Sequence, residues 1–149
     1  MDFSILKAEL TGDPLGRNYS EMSAQQAADS LNAVDVATRK LVPLWAVKKS
    51  AIESGCWLAI KAAALSHATP QVQGAAMIAV DYIDDQRFQN LDMDLESTQG
   101  MIAALVVGGV ITQAQADALD ELADESVSRA SQLGLPRVGP HHIEYARAV

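Results

Sequence analysis

The chain has 149 residues, a formal net charge of −8 and one cysteine, and 49% of its residues are hydrophobic. This length and apolar share predict a single domain over residues 1–149 with its own core, and one cysteine excludes an intramolecular disulfide. The acidic excess lies in residues 75–149, and no apolar run is long enough to span a bilayer, so we expect a soluble protein without general nucleic-acid binding or membrane insertion.

Helix signals dominate the start of the chain. Alanine, the best helix former, is abundant, and only 5% of residues are aromatic. Phe3 and Leu6 follow the spacing of one helix face, which Leu10 extends. A second helix is predicted after Ser23, whose side chain can accept the backbone N–H of Gln26 while the glutamine side chain accepts in return, forming a capping box.

Residues 33–42 show the least regular pattern in the chain. Their larger apolar residues, Val34, Val36, Leu41 and Val42, predict a short extended segment. Pro43 suits the first position of a helix that we expect to end before Gly55. Another helix follows at once and carries Trp57 on its apolar face. A longer amphipathic helix is predicted from Pro70, and a loop then covers residues 84–92.

The second half repeats the same signals. Asp94 is expected to cap a helix that Gly108 stops. Thr112 forms a second capping box, and a further helix around Val127, Ala130 and Leu133 should end at Gly134. A last short helix follows Pro140. The sequence therefore predicts an all-α fold, a compact bundle of seven to eight short helices.

No set of residues predicts catalysis, a cofactor or a metal site. The adjacent His141 and His142 should point in divergent directions, which favours a solvated pair over a zinc site. The acidic run of residues 92–96 lacks the glycine and distal glutamate of a calcium loop. The acidic residues of 117–125 follow helical spacing and are best explained as a solvated helix face. We therefore expect a protein that is not an enzyme.

The remaining candidates are residues for protein interaction. The basic residues Arg39, Lys40, Lys48 and Lys49 predict either a local basic patch or an ordinary solvated surface. The turn at Asp13–Arg17 is a candidate docking surface, with Arg17 able to pair with Asp13. Aromatic residues dominate binding hot spots, which makes Tyr19, Trp45 and Phe88 candidate anchors, although Trp45 could equally belong to the core.

Several segments together resemble a group of small, mostly uncharacterised proteins encoded in the structural-gene regions of tailed phages and prophages, often near tail genes. The resemblance covers both ends and most of the length between, and residues 35–73 carry least of it. The segments are Asp13-Pro14-Leu15-Gly16-Arg17-Asn18-Tyr19, Met22-Ser23, Ala28-Asp29-Ser30-Leu31-Asn32, Gly109-Val110-Ile111-Thr112, Ser128-Arg129-Ala130-Ser131-Gln132-Leu133-Gly134-Leu135, and Val138, Gly139, His142 and Ile143.

The resemblance implies a non-enzymatic virion component of the tail, the head–tail junction or a tail-fibre mount. Its implied partners are other phage structural proteins and copies of itself in a symmetric ring, where the acidic residues of 117–125 would meet the basic ones of 39–49. Its implied location is the virion, and the host cytoplasm during assembly. The alternative is a phage-encoded accessory or regulatory binding module that acts in the host cytoplasm.

Overall fold

A computed structural model describes all residues from 1 to 149, and the chain divides into two compact units. Unit 1 comprises Met1–Thr38 and Glu125–Val149, and unit 2 comprises Arg39–Asp124. The expectation of one domain over the whole chain stays a prediction.

The chain forms nine α-helices and four short strands, with 3₁₀ turns at Tyr19–Glu21 and Glu121–Ala123. In chain order the elements are α1 (Phe3–Gly12), α2 (Ala24–Asn32), β1 (Val34–Arg39), β2 (Val42–Pro43), α3 (Leu44–Glu53), α4 (Cys56–Leu65), α5 (Pro70–Asp84), β3 (Asn90–Leu91), α6 (Glu96–Val107), α7 (Gln113–Asp120), β4 (Asp124–Ser128), α8 (Arg129–Gln132) and α9 (Pro140–Ala148).

The fold is mostly helical, as predicted, but it is not purely all-α. Helix accounts for 62% of the residues and strand for 10%. Strand β1 pairs with β4, and β2 pairs with β3 in antiparallel register, with Val42 opposite Leu91. The extended segment predicted near Val34 is confirmed. Its partner β4 replaces part of a predicted helix, because pairing with a strand distant in sequence satisfies the backbone there.

Unit 1 has its own hydrophobic core between α1, α2, α8 and α9. Its largest fully buried side chains include Tyr19, Leu6, Leu31 and Ile143. The capping box of Ser23 starts α2 as predicted. Gly134 takes a left-handed conformation (φ 68°), and the backbone N–H of Leu135 returns to the carbonyl of Ala130, which ends α8 as expected.

A buried ion pair crosses the interior of unit 1. Arg129 donates from Nε to Glu9 Oε1 at 2.8 Å and from Nη2 to Glu9 Oε2 at 2.7 Å. Only 3% of the Glu9 side chain and 13% of the Arg129 side chain are exposed. The hydrogen bonds to Glu9 raise the pKa of Arg129. This two-point contact ties α1 to α8 within the core.

Helix α9 begins with a cap that depends on a histidine. The backbone N–H of Gly139 donates to His142 Nδ1 at 2.9 Å, the contact that glutamine makes in an ordinary capping box. The ring centroids of His141 and His142 lie 3.8 Å apart, so the divergent directions predicted for this pair are wrong. Partial burial, followed by repulsion from His141 and the N-terminal amine, lowers the pKa of His142.

Acidification is therefore expected to destabilise unit 1. Because the folded-state pKa of His142 lies below its unfolded value, the unfolded chain binds more protons between the two, and stability is lost as the pH falls from the unfolded pKa of about 6.5 through the folded one. Protonated Nδ1 also cannot accept the N–H of Gly139. We expect the melting temperature to fall less in His142→Gln, which keeps an acceptor at every pH. An equal fall in both proteins would assign the pH dependence to other groups.

Unit 2 buries two adjoining clusters of apolar side chains. One surrounds Trp57 and Ile60 of α4, and the other surrounds Leu44, Val47 and Leu119. Leu44, Val47 and Ala51 of α3, which are spaced as one helix face, are all buried. Pro43 precedes α3 in strand β2 rather than opening the helix, because it pairs with Asn90.

Candidate interaction surface

Trp45 stands on the solvent-facing side of α3. The buried residues of this helix, Leu44, Val47 and Ala51, share the opposite face, and the side chain of Trp45 is 70% exposed. Ile52, seven residues further along, shares the exposed face and is 55% exposed. Trp45 is therefore outside the core. The other tryptophan, Trp57, is 6% exposed.

Two open grooves flank the Trp45 side chain. The larger has a volume of about 570 Å³ and runs from Trp45 past Lys48 to Phe88. The smaller, about 340 Å³, lies between Trp45, Lys49 and Ile52. We call the exposed area formed by Trp45, Ile52, Phe88 and the lysines between them the Trp45 surface. It offers apolar contact area with charged side chains at its margin, as protein interfaces do.

Phe88 is held in place on this surface by its neighbours. Its ring stacks on Tyr82 of α5, with centroids 4.3 Å apart and planes 13° apart, and its own exposed fraction is 44%. The backbone N–H of Leu44 donates to the carbonyl of Gln89 at 2.9 Å, which fixes the loop beside the start of α3. The stacking on Tyr82 and the fixed loop restrict the conformations open to the Phe88 ring.

The basic residues do not form an unopposed patch. Lys48 Nζ lies 2.7 Å from Asp84 Oδ1, and Lys49 Nζ lies 2.8 Å from Glu53 Oε1. Lys48 Nζ also lies 5.4 Å from the centroid of the Trp57 ring, close enough for a cation–π contact. Both lysines therefore lie at the edge of the Trp45 surface, and their charges are neutralised by the carboxylates of Asp84 and Glu53.

Arg39 bridges three carboxylates of unit 2. Its guanidinium lies 2.9 Å from Asp94, 2.7 Å from Asp120 and 2.6 Å from Asp124. These hydrogen bonds, that to Asp120 first, raise the pKa of Arg39. The predicted cap by Asp94 is wrong, because α6 begins after Leu95 without a side-chain cap and the Asp94 carboxylate binds Arg39 instead.

The acidic residues 117–125 also differ from a simple solvated helix face. Helix α7 ends at Asp120, and Asp124 begins strand β4. The backbone N–H of Lys40 donates to the carbonyl of Ala123 at 2.8 Å, which brings residues 39–40 against this segment. The acidic–basic contact expected between neighbouring copies is thus made by Arg39 within one chain.

The two remaining candidates, Arg17 and Tyr19, belong to unit 1. The guanidinium of Arg17 donates hydrogen bonds to the Asp35 carboxylate and to the carbonyl of Ser30, both at 2.6 Å. Only the backbone N–H of Arg17 contacts the Asp13 carboxylate. The predicted contact between Arg17 and Asp13 is present, but the backbone of Arg17 makes it while the guanidinium binds elsewhere. Tyr19 is fully buried, and burial raises its pKa. Its ring is therefore a core residue and not a surface anchor.

No group of three or more His, Cys, Asp or Glu side chains is placed to hold a metal ion. The thiol of Cys56 is buried in unit 2. No helix combines the length and apolar character that a membrane span requires.

Sequence reasoning missed two residues that the structure makes important. Ile52 lies seven residues after Trp45, so helical spacing alone places both on one face of α3. Glu9 lies three residues after Leu6, on the apolar face of α1, and its position there was the available signal of a buried carboxylate. Its partner could not be inferred, because Arg129 lies 120 residues away in the sequence.

Comparisons with protein-family models, with curated proteins and with solved structures found no match for this chain.

Proposed function

We propose that this chain is a non-enzymatic structural protein that binds a neighbouring protein through the Trp45 surface. The observation that carries the proposal is the 70% exposure of Trp45. Tryptophan is among the residues enriched in binding hot spots, and two open grooves and a second aromatic side chain, Phe88, lie beside Trp45. The ordered Phe88 beside it extends the apolar area that a partner would cover.

The proposed setting is the particle of a tailed bacteriophage, and it rests on the resemblance of the sequence. The partner we propose is another structural protein of the tail, the head–tail junction or a tail-fibre mount. A symmetric ring of copies of this chain remains part of the proposal. The charge contact first expected between those copies does not support it, since Arg39 already binds Asp120 and Asp124 of its own chain.

Replacement of Trp45 by alanine is expected to reduce incorporation of the protein into particles without unfolding it. Loss of a hot-spot tryptophan costs at least about 2 kcal/mol of binding, a decrease of roughly thirtyfold in affinity. Because Trp45 is mostly in water, the melting temperature should change little. The measurement is quantitative mass spectrometry of particles assembled with the variant as the only source of this protein.

Leu58→Ala is the matched control. Leu58 lies on α4 of the same unit and is 76% exposed, so its replacement removes a comparable exposed side chain outside the Trp45 surface. Equal incorporation of both variants and the unchanged protein would contradict the proposal. Analytical ultracentrifugation of the purified protein identifies the partner class: association abolished by Trp45→Ala would replace the proposed partner with a second copy of this chain.

A further inference from the structure

The path of the chain places unit 2 inside unit 1 in sequence. Both termini belong to unit 1, and the continuous segment Arg39–Asp124 forms unit 2. An insertion of this kind leaves its host intact only if the two points where the chain leaves and re-enters lie close together.

Each unit closes the chain at these two points. Strands β1 and β4 pair, and each belongs to unit 1 except for one residue at the boundary, so the chain before the insertion lies beside the chain after it. In unit 2, Arg39 Nη1 lies 2.6 Å from Asp124 Oδ1, and the backbone N–H of Lys40 donates to the carbonyl of Ala123. The first and last residues of the insertion are therefore in contact.

The hydrophobic cores are also separate. All buried members of the unit 1 cluster, and the partly buried side chains packed on it, come from residues 3–31 and 130–146. The two clusters of unit 2 draw only on residues 42–123, and Ile83 and Ile102 pack against both. Each unit thus buries its own apolar side chains and has the driving force for its own cooperative folding.

Arg39 does more than join the ends of the insertion. It also binds Asp94, just before α6, and Asp120, the last residue of α7. The three carboxylates are each at least half exposed, so the contribution of Arg39 depends on one guanidinium serving several charges in a network rather than on burial. One guanidinium therefore holds both ends of unit 2 to the body of that unit.

We propose that unit 2 is a self-contained insertion that unfolds independently of unit 1. We also propose that Arg39 holds the two ends of this insertion together, and we call it the clasp. This inference is independent of the proposed function, because it concerns the units whether or not the Trp45 surface binds a partner.

Hydrogen exchange of the full chain, read by mass spectrometry, tests the insertion with two matched core variants. Leu31→Ala in unit 1 and Leu105→Ala in unit 2 each remove a side chain that is no more than 2% exposed. We expect Leu31→Ala to lower amide protection in α1, α2 and α9 by roughly thirtyfold or more, with α4, α5 and α6 unchanged. Leu105→Ala should produce the reverse pattern. Equal losses in both units from either variant would overturn the proposal.

The clasp is tested in the same experiment with Arg39→Gln. We expect faster exchange in α6 and α7, which Arg39 tethers through Asp94 and Asp120, and no change in α1 or α9. Arg87→Gln is the control, because Arg87 also binds a carboxylate of unit 2 but is 88% exposed and contacts only the neighbouring Asp85. Exchange in α6 and α7 that is the same in both variants would show that Arg39 is not the clasp.

Discussion

Leu119→Asp is expected to lower the free energy of unfolding by about 4 kcal/mol or more, the range reached when an unpaired charge is buried. Leu119 is 6% exposed and packs in unit 2 with Leu44, Val47 and Met93. The new carboxylate would face an apolar cavity of about 40 Å³ that Leu119 helps to line. Denaturation by urea, followed by circular dichroism, measures the loss through the shift of the midpoint.

Leu65→Asp is the matched control for that substitution. Leu65 ends α4 in the same unit and is 85% exposed, so the same change of residue places the charge in water. We expect its free energy of unfolding to stay within about 0.5 kcal/mol of the unchanged protein. Similar losses for the two variants would mean that the inward face assigned to α7 is wrong.

Glu9→Ala is expected to cost about 3–5 kcal/mol of stability in unit 1, because it leaves the charge of Arg129 buried without its partner. Both hydrogen bonds between the two side chains would be lost, and Arg129 has an exposed side-chain fraction of only 13%. The measurement is the free energy of unfolding from urea titration, with hydrogen exchange in α1 and α8 to place the loss within unit 1.

Two further variants show whether the stability lost in Glu9→Ala comes from burying an unpaired charge or from losing the ion pair itself. Glu53→Ala removes one partner of the exposed pair with Lys49, and we expect a change below about 1 kcal/mol. The double variant Glu9→Leu with Arg129→Met replaces the buried pair by apolar side chains, and it should recover most of the stability lost in Glu9→Ala. A double variant no more stable than Glu9→Ala would show that the ion pair itself, and not relief of an unpaired charge, holds α1 to α8.

The features predicted correctly from the sequence are those encoded within a few residues. The capping boxes of Ser23 and Thr112 join residues three positions apart, and both are present. The left-handed glycines at the ends of helices, such as Gly55 and Gly134, depend only on local backbone geometry. Local signals of this kind set where helices begin and end, and they predicted most of the helical fold.

The features that were missed depend on residues distant in sequence. Strand β4 has the composition of a polar loop or helix end, and it becomes a strand because β1 lies beside it. Asp94 carries the signal of a helix cap, yet Arg39, 55 residues away, takes its carboxylate. A residue that is near in space, such as Arg39, outweighs the local preference of Asp94 for a helix cap. The spacing of residues in the sequence gives no sign of such a distant partner.

The candidate interaction residues divide for the same reason. Trp45 and Phe88 are exposed, whereas Tyr19 is buried, although all three are aromatic residues beside turns or helix starts. The spacing of Leu44 and Val47 could have placed Trp45 on the outer face of α3. The sequence near Tyr19 contains no comparable pattern, because its burial depends on α1 and α9 packing around it.

Quantitative mass spectrometry of purified particles tests the central claim most directly. In the proposed setting, the particles are those of a tailed phage whose genome carries this chain, with a known structural protein of the same particle as the internal standard. The proposed structural role predicts that the chain is present in a fixed ratio to that standard. The ratio should survive washing at high salt, since the contact proposed for the Trp45 surface is largely apolar. Absence of the chain from particles, with the protein recovered in the soluble fraction of the infected host, would contradict the claim and favour an accessory module.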